Sequence, residues 1–254
     1  MVSFYSVAGL ITIATLATAR TPPGFTPASN VDLIVEYNGV VPQNGAANGN
    51  PTVTIPQPRV GTLTRLTGTS YAVLMIDLDI PTDTPPQTNT LLHWAQTGLT
   101  PATTATRINT TTGQLSVFLL ENSTNTSPIL GYFGPNPPAR IPLSHRYAQI
   151  LIDTSDADEE DIAAIRTAAA TIRGFNAQTV LTAADLEDEV VAGNWYNVTN
   201  PGPVNNTLNQ PSGTGTTTGG GPASTGSGSS GVGKMTMPGL GALIVGLAAA
   251  MFTL

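Results

Sequence analysis

The run Tyr71-Ala-Val-Leu-Met-Ile-Asp-Leu-Asp-Ile-Pro81 constrains this chain most. It reads as a buried strand that ends in two carboxylates. Side chains alternate along a strand, so Tyr71, Val73, Met75, Asp77 and Asp79 are expected on one face, with Leu74, Ile76, Leu78 and Ile80 on the other. Ionised acids at the end of a core strand are costly unless paired or hydrogen-bonded. Pro81 cannot donate to a ladder and is expected to end the strand. The end of this strand is therefore read as one wall of a small polar pocket.

The 254-residue chain contains no cysteine. A disulfide scaffold is excluded, so a sizeable hydrophobic core must hold the fold. Residues 20–200 supply one domain's worth of chain for that core. The net charge is −7, and the single lysine, Lys234, lies outside that domain. Nucleic-acid binding is disfavoured, because neutralising phosphates needs clustered Lys and Arg.

Both ends read as processing segments. Residues 1–19 are apolar and rich in small residues, and close on Ala17-Thr18-Ala19 before Arg20, which fits a secretory signal peptide, although a positive leading region is missing. Residues 201–233 form a stalk rich in Gly, Ser, Thr and Pro. Residues 234–254 end in the apolar run Leu240–Leu254, shorter than the roughly 20 residues of a spanning helix. Small residues, a short spacer and an apolar tail are the signal for a GPI anchor, with Ser229, Ser230 or Gly231 as attachment candidates. A retained single-pass tail anchor and simple secretion are the alternatives. The expected location is the secretory pathway and the cell surface. Sequons at Asn109, Asn122, Asn125, Asn197 and Asn205 are candidate glycan sites.

Within the domain, strands are expected at Val31–Tyr37, Thr69–Ile80, Leu91–Thr97, Leu115–Leu120, Ser144–Asp153 and Gly193–Val198, with a short one at Thr52–Ile55. Along Leu91–Thr97, alternation predicts Leu91, His93 and Ala95 on one face and Leu92 and Trp94 on the other. Thr100–Gly113 reads as a polar linker and Leu130–Pro138 as a rigid loop. A first helix is expected after a cap at Ser155 or Asp156, with the stripe Ile162, Ile165, Ala169 and Ile172 and a stop at Gly174. The acidic run Asp158–Asp161 suits that helix's positive end better than a metal site. A second helix is expected from Thr182 to Val191.

The only two histidines, His93 and His145, lie in apolar strand segments, and Tyr147 shares a face with His145. Imidazole N–H groups and a phenol O–H meeting Asp side chains suit a phosphate, sulfate or carboxylate ligand. The acids would orient the imidazoles, and affinity would depend on pH. Composition alone favours the plainer reading, that each histidine is a satisfied core residue.

Taken in order, Asp77-x-Asp79-x-Pro81, His93-Trp94, Tyr132-Phe-Gly-Pro-x-Pro-Pro138 and His145-Arg-Tyr147 resemble the phosphatidylethanolamine-binding protein family. Val191-Ala-Gly-Asn-Trp-Tyr196 is similar to that family's closing segment. The terminal signals add a likeness to its secreted, anchored fungal members. The resemblance implies a mainly β (α+β) fold, an antiparallel β-sandwich with a few flanking helices. It also implies a non-enzymatic role, no cofactor, and a small anion pocket open to phosphoryl headgroups. By position that pocket would use Asp77, Pro81, His93, His145 and Tyr147, with Gly134 and Pro135 at its rim. Asp79 and Arg146 would support it as an ion pair. Some relatives work as hydrolase inhibitors or signalling scaffolds, so a protein partner is the alternative. The chain departs from the family at Leu78, where a proline is usual, and at Leu143-Ser144, where a glycine usually precedes the His-Arg pair.

Enzyme readings find little support in the residues. The D-x-D pair comes without a nucleotide fold or phosphate loop, and no G-x-S-x-G elbow is present. Ser144 and His145 are strand neighbours and face opposite ways. A zinc site from His93, His145 and Asp77 lacks an obvious fourth ligand.

Overall fold

A computed structural model describes residues 20–42, 47–48, 54, 56–110 and 113–204. The signal segment, the tail, most of the stalk with Ser229, Ser230 and Gly231, Asn205, and all of Thr52–Ile55 except Thr54 lie outside the described residues.

In chain order the elements are β1 (Ile34–Glu36), β2 (Ala47–Asn48), β3 (Arg59–Thr62), β4 (Tyr71–Pro81), β5 (Thr88–Pro101), β6 (Thr106–Thr110), β7 (Gly113–Glu121), β8 (Ser144–Asp153), α1 (Glu159–Ala169), α2 (Ala177–Ala183) and β9 (Val190–Thr199). The strands run in the order β1-β3-β7-β5-β4-β8-β9-β2, with β6 added to β7. Every pairing is antiparallel except β2 with β9. Among the described residues the fold is mainly β, a nearly closed, largely antiparallel sheet with two helices.

β4 is central because both of its edges are paired, to β5 and to β8. Its two faces feed two cores. Tyr71, Val73 and Met75 pack with Leu33, Val35, Tyr37, Val60, Trp94, Tyr147, Leu151 and Tyr196, so β1 and β3 fold over this face as a second layer. Ala72, Leu74 and Ile76 pack with Leu92, Ile150, Ile152, Ile165, Ala169, Phe175 and Leu181, the layer closed by the helices. Full burial of each large aliphatic side chain is worth about 1.5–3 kcal/mol. Alternation along β4 and β8 therefore sorts both strands as expected as far as Met75 and Tyr147.

The structure corrects the expected elements in four places. The Thr100–Gly113 stretch is not simply a linker: it carries β6, which pairs with β7 from Thr106↔Val117 to Thr110↔Gly113 and buries Ile108 beside Val117 and Leu119. Threonine's branched Cβ suits a pleated edge, so a Thr-rich segment next to an open strand becomes a strand. α1 is capped by Asp158, not by Ser155 or Asp156. Asp158 accepts from the Glu160 and Asp161 amides, and Asp161 returns a bond from the Asp158 amide. Ser155 is engaged elsewhere: its hydroxyl donates to Asp153 and accepts from the Thr69 amide.

α1 also stops at Ala169, before Ile172 and Gly174. The Ile172 carbonyl accepts from the Leu92 amide, and the Gly174 amide donates to the Thr90 carbonyl, so β5 draws this segment out of the helix. The second helix is Ala177–Ala183, capped by Asn176 on the Thr179 amide, rather than Thr182–Val191. Asp185 takes a positive φ of 53°, and from Val190 onward the chain pairs with β8.

Candidate functional site

The two histidines are brought together by an interruption of strand alternation. Met75 faces Trp94 across β4 and β5, yet the next pair is Ile76 with Leu92. One step on β4 matches two on β5, and His93 is the extra residue. Such a bulge breaks the period-2 rule. The expected sharing of one face by Leu92 and Trp94 is therefore incorrect. Leu92 joins the helix-side core with Ala95, Trp94 joins the other core, and the His93 ring meets Tyr147 edge-on with centroids 5.2 Å apart.

A second irregularity parts the two acids. The β4–β8 ladder runs to Asp77↔Tyr147, and the β4–β5 register shifts between Asp77 and Ile80. Beyond this point carboxylates stand in for backbone partners. Asp77 accepts from the Asp79 amide at 2.9 Å and meets His145 Nδ1 at 2.8 Å. Asp79 accepts from the Arg146 amide, Nε and Nη2, each at 2.8 Å. The acids thus serve neighbouring residues of β8 whose side chains leave opposite sides of the strand, not the common face that alternation predicts. Burial pushes the Asp79 carboxyl upward, but the bonds and charge of Arg146 outweigh it and hold Asp79 below the usual carboxylate range.

His145 is fully buried, and both of its ring nitrogens face acceptors: Nδ1 faces Asp77, and Nε2 lies 3.2 Å from the Pro142 carbonyl. It has no N–H left for a guest. Its ring lies 6.4 Å from Tyr147, which also stacks on Tyr196 with centroids 5.9 Å apart.

His93 differs. Its Nδ1 lies 2.8 Å from the Phe133 carbonyl, and the Phe133 amide donates to the His93 carbonyl at 3.1 Å. The Phe133 ring packs against the imidazole in a tilted arrangement, with centroids 4.2 Å apart. Burial pushes the imidazole's pKa down, only partly opposed by the Phe133 bond and the Asp77 charge. Its Nε2 is buried without a partner, and so is the Tyr147 hydroxyl. The same burial, with the nearby Asp77 carboxylate, pushes the Tyr147 phenol well above its ordinary range, so the phenol keeps its proton. Two further buried tyrosines, Tyr37 and Tyr196, are satisfied: their hydroxyls lie 2.6 Å apart, and Gln149 donates to Tyr37 at 2.9 Å.

Asp77, His93, His145 and Tyr147 therefore converge, with Asp79 and Arg146 beside them. Gly134 and Pro135 directly follow Phe133, in a loop tied to β5 through His93 and, at Leu130, through Ala95. Pro81 closes β4 opposite Thr88 and does not enter this contact set. Sequence reasoning missed Phe133, whose ring and carbonyl hold His93, and the Pro142 carbonyl under His145. Phe133 carried a signal inside the Tyr132–Pro138 motif, whereas a backbone carbonyl carries none.

Among the described residues no group of three or more His, Cys, Asp or Glu could hold a metal ion. Of the sequon asparagines, Asn109, Asn122 and Asn125 are exposed, while Asn197 is half-buried in β9 between β8 and β2.

The chain is a member of the phosphatidylethanolamine-binding protein family, whose model matches residues 26–197. A curated relative, the phomoidride biosynthesis cluster protein N of Talaromyces stipitatus, is 30% identical over 208 residues, covering 76% of this chain and 96% of that protein. Among solved structures, the chain is similar to a phosphatidylethanolamine-binding protein from Plasmodium vivax (18% identity, TM-score 0.46, 70% of this chain and 91% of the other). It is also similar to a carboxypeptidase Y inhibitor solved with its cognate proteinase (15% identity, TM-score 0.46, 68% and 84%).

Proposed function

We propose that this protein is a non-enzymatic binding module for phosphoryl headgroups or similar small anions, held at the cell surface. One observation carries the reading: His93 Nε2 and the Tyr147 hydroxyl, on rings 5.2 Å apart, are both buried without a partner. A buried polar group left unpaired costs about 1–3 kcal/mol, and a ligand reaching both atoms recovers that cost. The protonated phenol donates to an oxygen of the guest. Asp77 sits behind it, bound to His145, and orients the site without touching the anion. Phe133 and the Gly134-Pro135 loop segment form the rim.

Phosphorylethanolamine titrated into the purified protein, with the two histidine side chains followed by nuclear magnetic resonance, tests this. Millimolar ligand is expected to shift the His93 signals strongly and the more enclosed His145 signals weakly. Unchanged signals from both imidazoles would overturn the reading. The surface location is tested separately: a phosphatidylinositol-specific phospholipase is expected to release the protein from intact cells, and retention after treatment contradicts a GPI anchor.

A further inference from the structure

We propose that His93 meets the ligand as a hydrogen-bond acceptor, so the site selects a phosphoryl group that still carries a proton. The proposal rests on the binding reading above and names the ligand class that the same site takes.

The Phe133 carbonyl fixes the tautomer of His93. His93 Nδ1 stands 2.8 Å from the Phe133 carbonyl, which can only accept, so Nδ1 carries the proton. In a neutral imidazole the other nitrogen then has a lone pair and no hydrogen. That nitrogen is Nε2, the atom buried without a partner. A guest satisfies it by bringing a donor, not another acceptor.

The surrounding charge points the same way. The groups that face His93 are Asp77 from β4, His145 and Tyr147 from β8, and the Phe133 carbonyl from the rim loop. The fixed cation nearby, Arg146, is committed to Asp79 by two side-chain bonds, and His145 is committed to Asp77. No free cation is left in this set to balance a dianion. A phosphomonoester monoanion fits. Its P–OH donates to His93 Nε2, and an unprotonated oxygen accepts from the Tyr147 hydroxyl. A phosphodiester and sulfate match it in size and geometry but bring no such hydrogen near neutral pH. A dianionic monoester binds only by taking up a proton.

The test compares methyl phosphate, dimethyl phosphate and sulfate by calorimetry on the full-length protein near pH 6, with nitrogen-15 spectra of the histidines in parallel. Methyl phosphate is expected to bind roughly ten- to a hundredfold tighter than the other two, the factor that one unmade buried hydrogen bond makes. Its affinity is expected to fall as pH rises past the monoester's second ionisation near about 6. The free protein is expected to show His93 protonated on Nδ1 alone. Three results overturn the proposal: a proton on His93 Nε2 in the free protein, equal binding of all three anions, or methyl phosphate affinity that is flat with pH. Equal binding with shifts at His93 would leave the anion site standing and remove only the acceptor role. Failure of all three anions to bind at millimolar concentration would remove both. A His93→Gln variant, whose amide can donate, is expected to narrow the gap between methyl phosphate and sulfate, and an unchanged gap counts against His93 as the selecting group.

Discussion

Replacing Tyr147 by Phe separates a ligand-directed hydroxyl from a structural one, and Tyr37→Phe supplies the control. Both tyrosines are fully buried in the same core. The Tyr37 hydroxyl bonds Tyr196 at 2.6 Å and Gln149 at 2.9 Å. Removing it strands two buried partners, at a cost of about 1–3 kcal/mol. The Tyr147 hydroxyl makes no formed hydrogen bond to strand, although the Asp77 carboxylate and the Asn136 backbone lie near it. Its removal is expected to leave stability within about 0.5 kcal/mol of wild type, or to raise it, because an unmade bond disappears with it. Ligand binding reverses the order. A phenol bond to an anion is worth about 1.5–3 kcal/mol, so Tyr147→Phe is expected to weaken phosphorylethanolamine roughly ten- to a hundredfold. Tyr37→Phe is expected to leave affinity nearly unchanged. Urea denaturation gives the first quantity and calorimetry the second. Equal destabilisation by the two variants, with affinity untouched in both, would refute the reasoning.

Other outcomes follow from the same geometry. Because Asp79 is held below its unfolded value, its stabilising effect is full above about pH 3.9 and is lost as pH falls through the lower folded pKa. Asp79→Asn should therefore cost about 1–2 kcal/mol near neutrality, given the half-exposed guanidinium, and flatten the acid limb of the stability curve; parallel curves for the two proteins would contradict this. Asp158→Ala removes a reciprocal cap and should cost about 1 kcal/mol in urea denaturation, whereas Ser155→Ala should leave α1 capped; a larger helical loss in the second variant would contradict the assignment. Without ligand, His93 should titrate below the ordinary histidine value of 6.5, and a midpoint above it would show that burial does not dominate there.

The parts of the fold that obey a simple period were legible in the sequence. β8 occupies Ser144–Asp153 as expected, and β4 sorts its side chains by alternation as far as Met75. What could not be read was where that period breaks. The bulge at His93 and the irregularity after Asp77 are set by pairing between distant segments, and no local signal near Leu92 or Leu78 announces them. Those two breaks aim His93 at Tyr147 and divide Asp77 from Asp79. The helix boundaries failed for a related reason. Residues 172–174 could have continued a helix, but β5 offered backbone partners, and Ser155 was taken by Asp153 and Thr69 before it could cap. The site's residue types were legible from motifs. Their roles were not, since His145 is closed off by a backbone carbonyl and His93 is left open by the orientation of another.

A crystal structure of the protein with phosphorylethanolamine bears most directly on the central claim. The account predicts phosphoryl oxygens within hydrogen-bond distance of both Tyr147 Oη and His93 Nε2, with Asp77 still on His145 and Phe133 still packed against His93. A ligand bound elsewhere, or a site that stays closed around both atoms at saturating ligand, would contradict it.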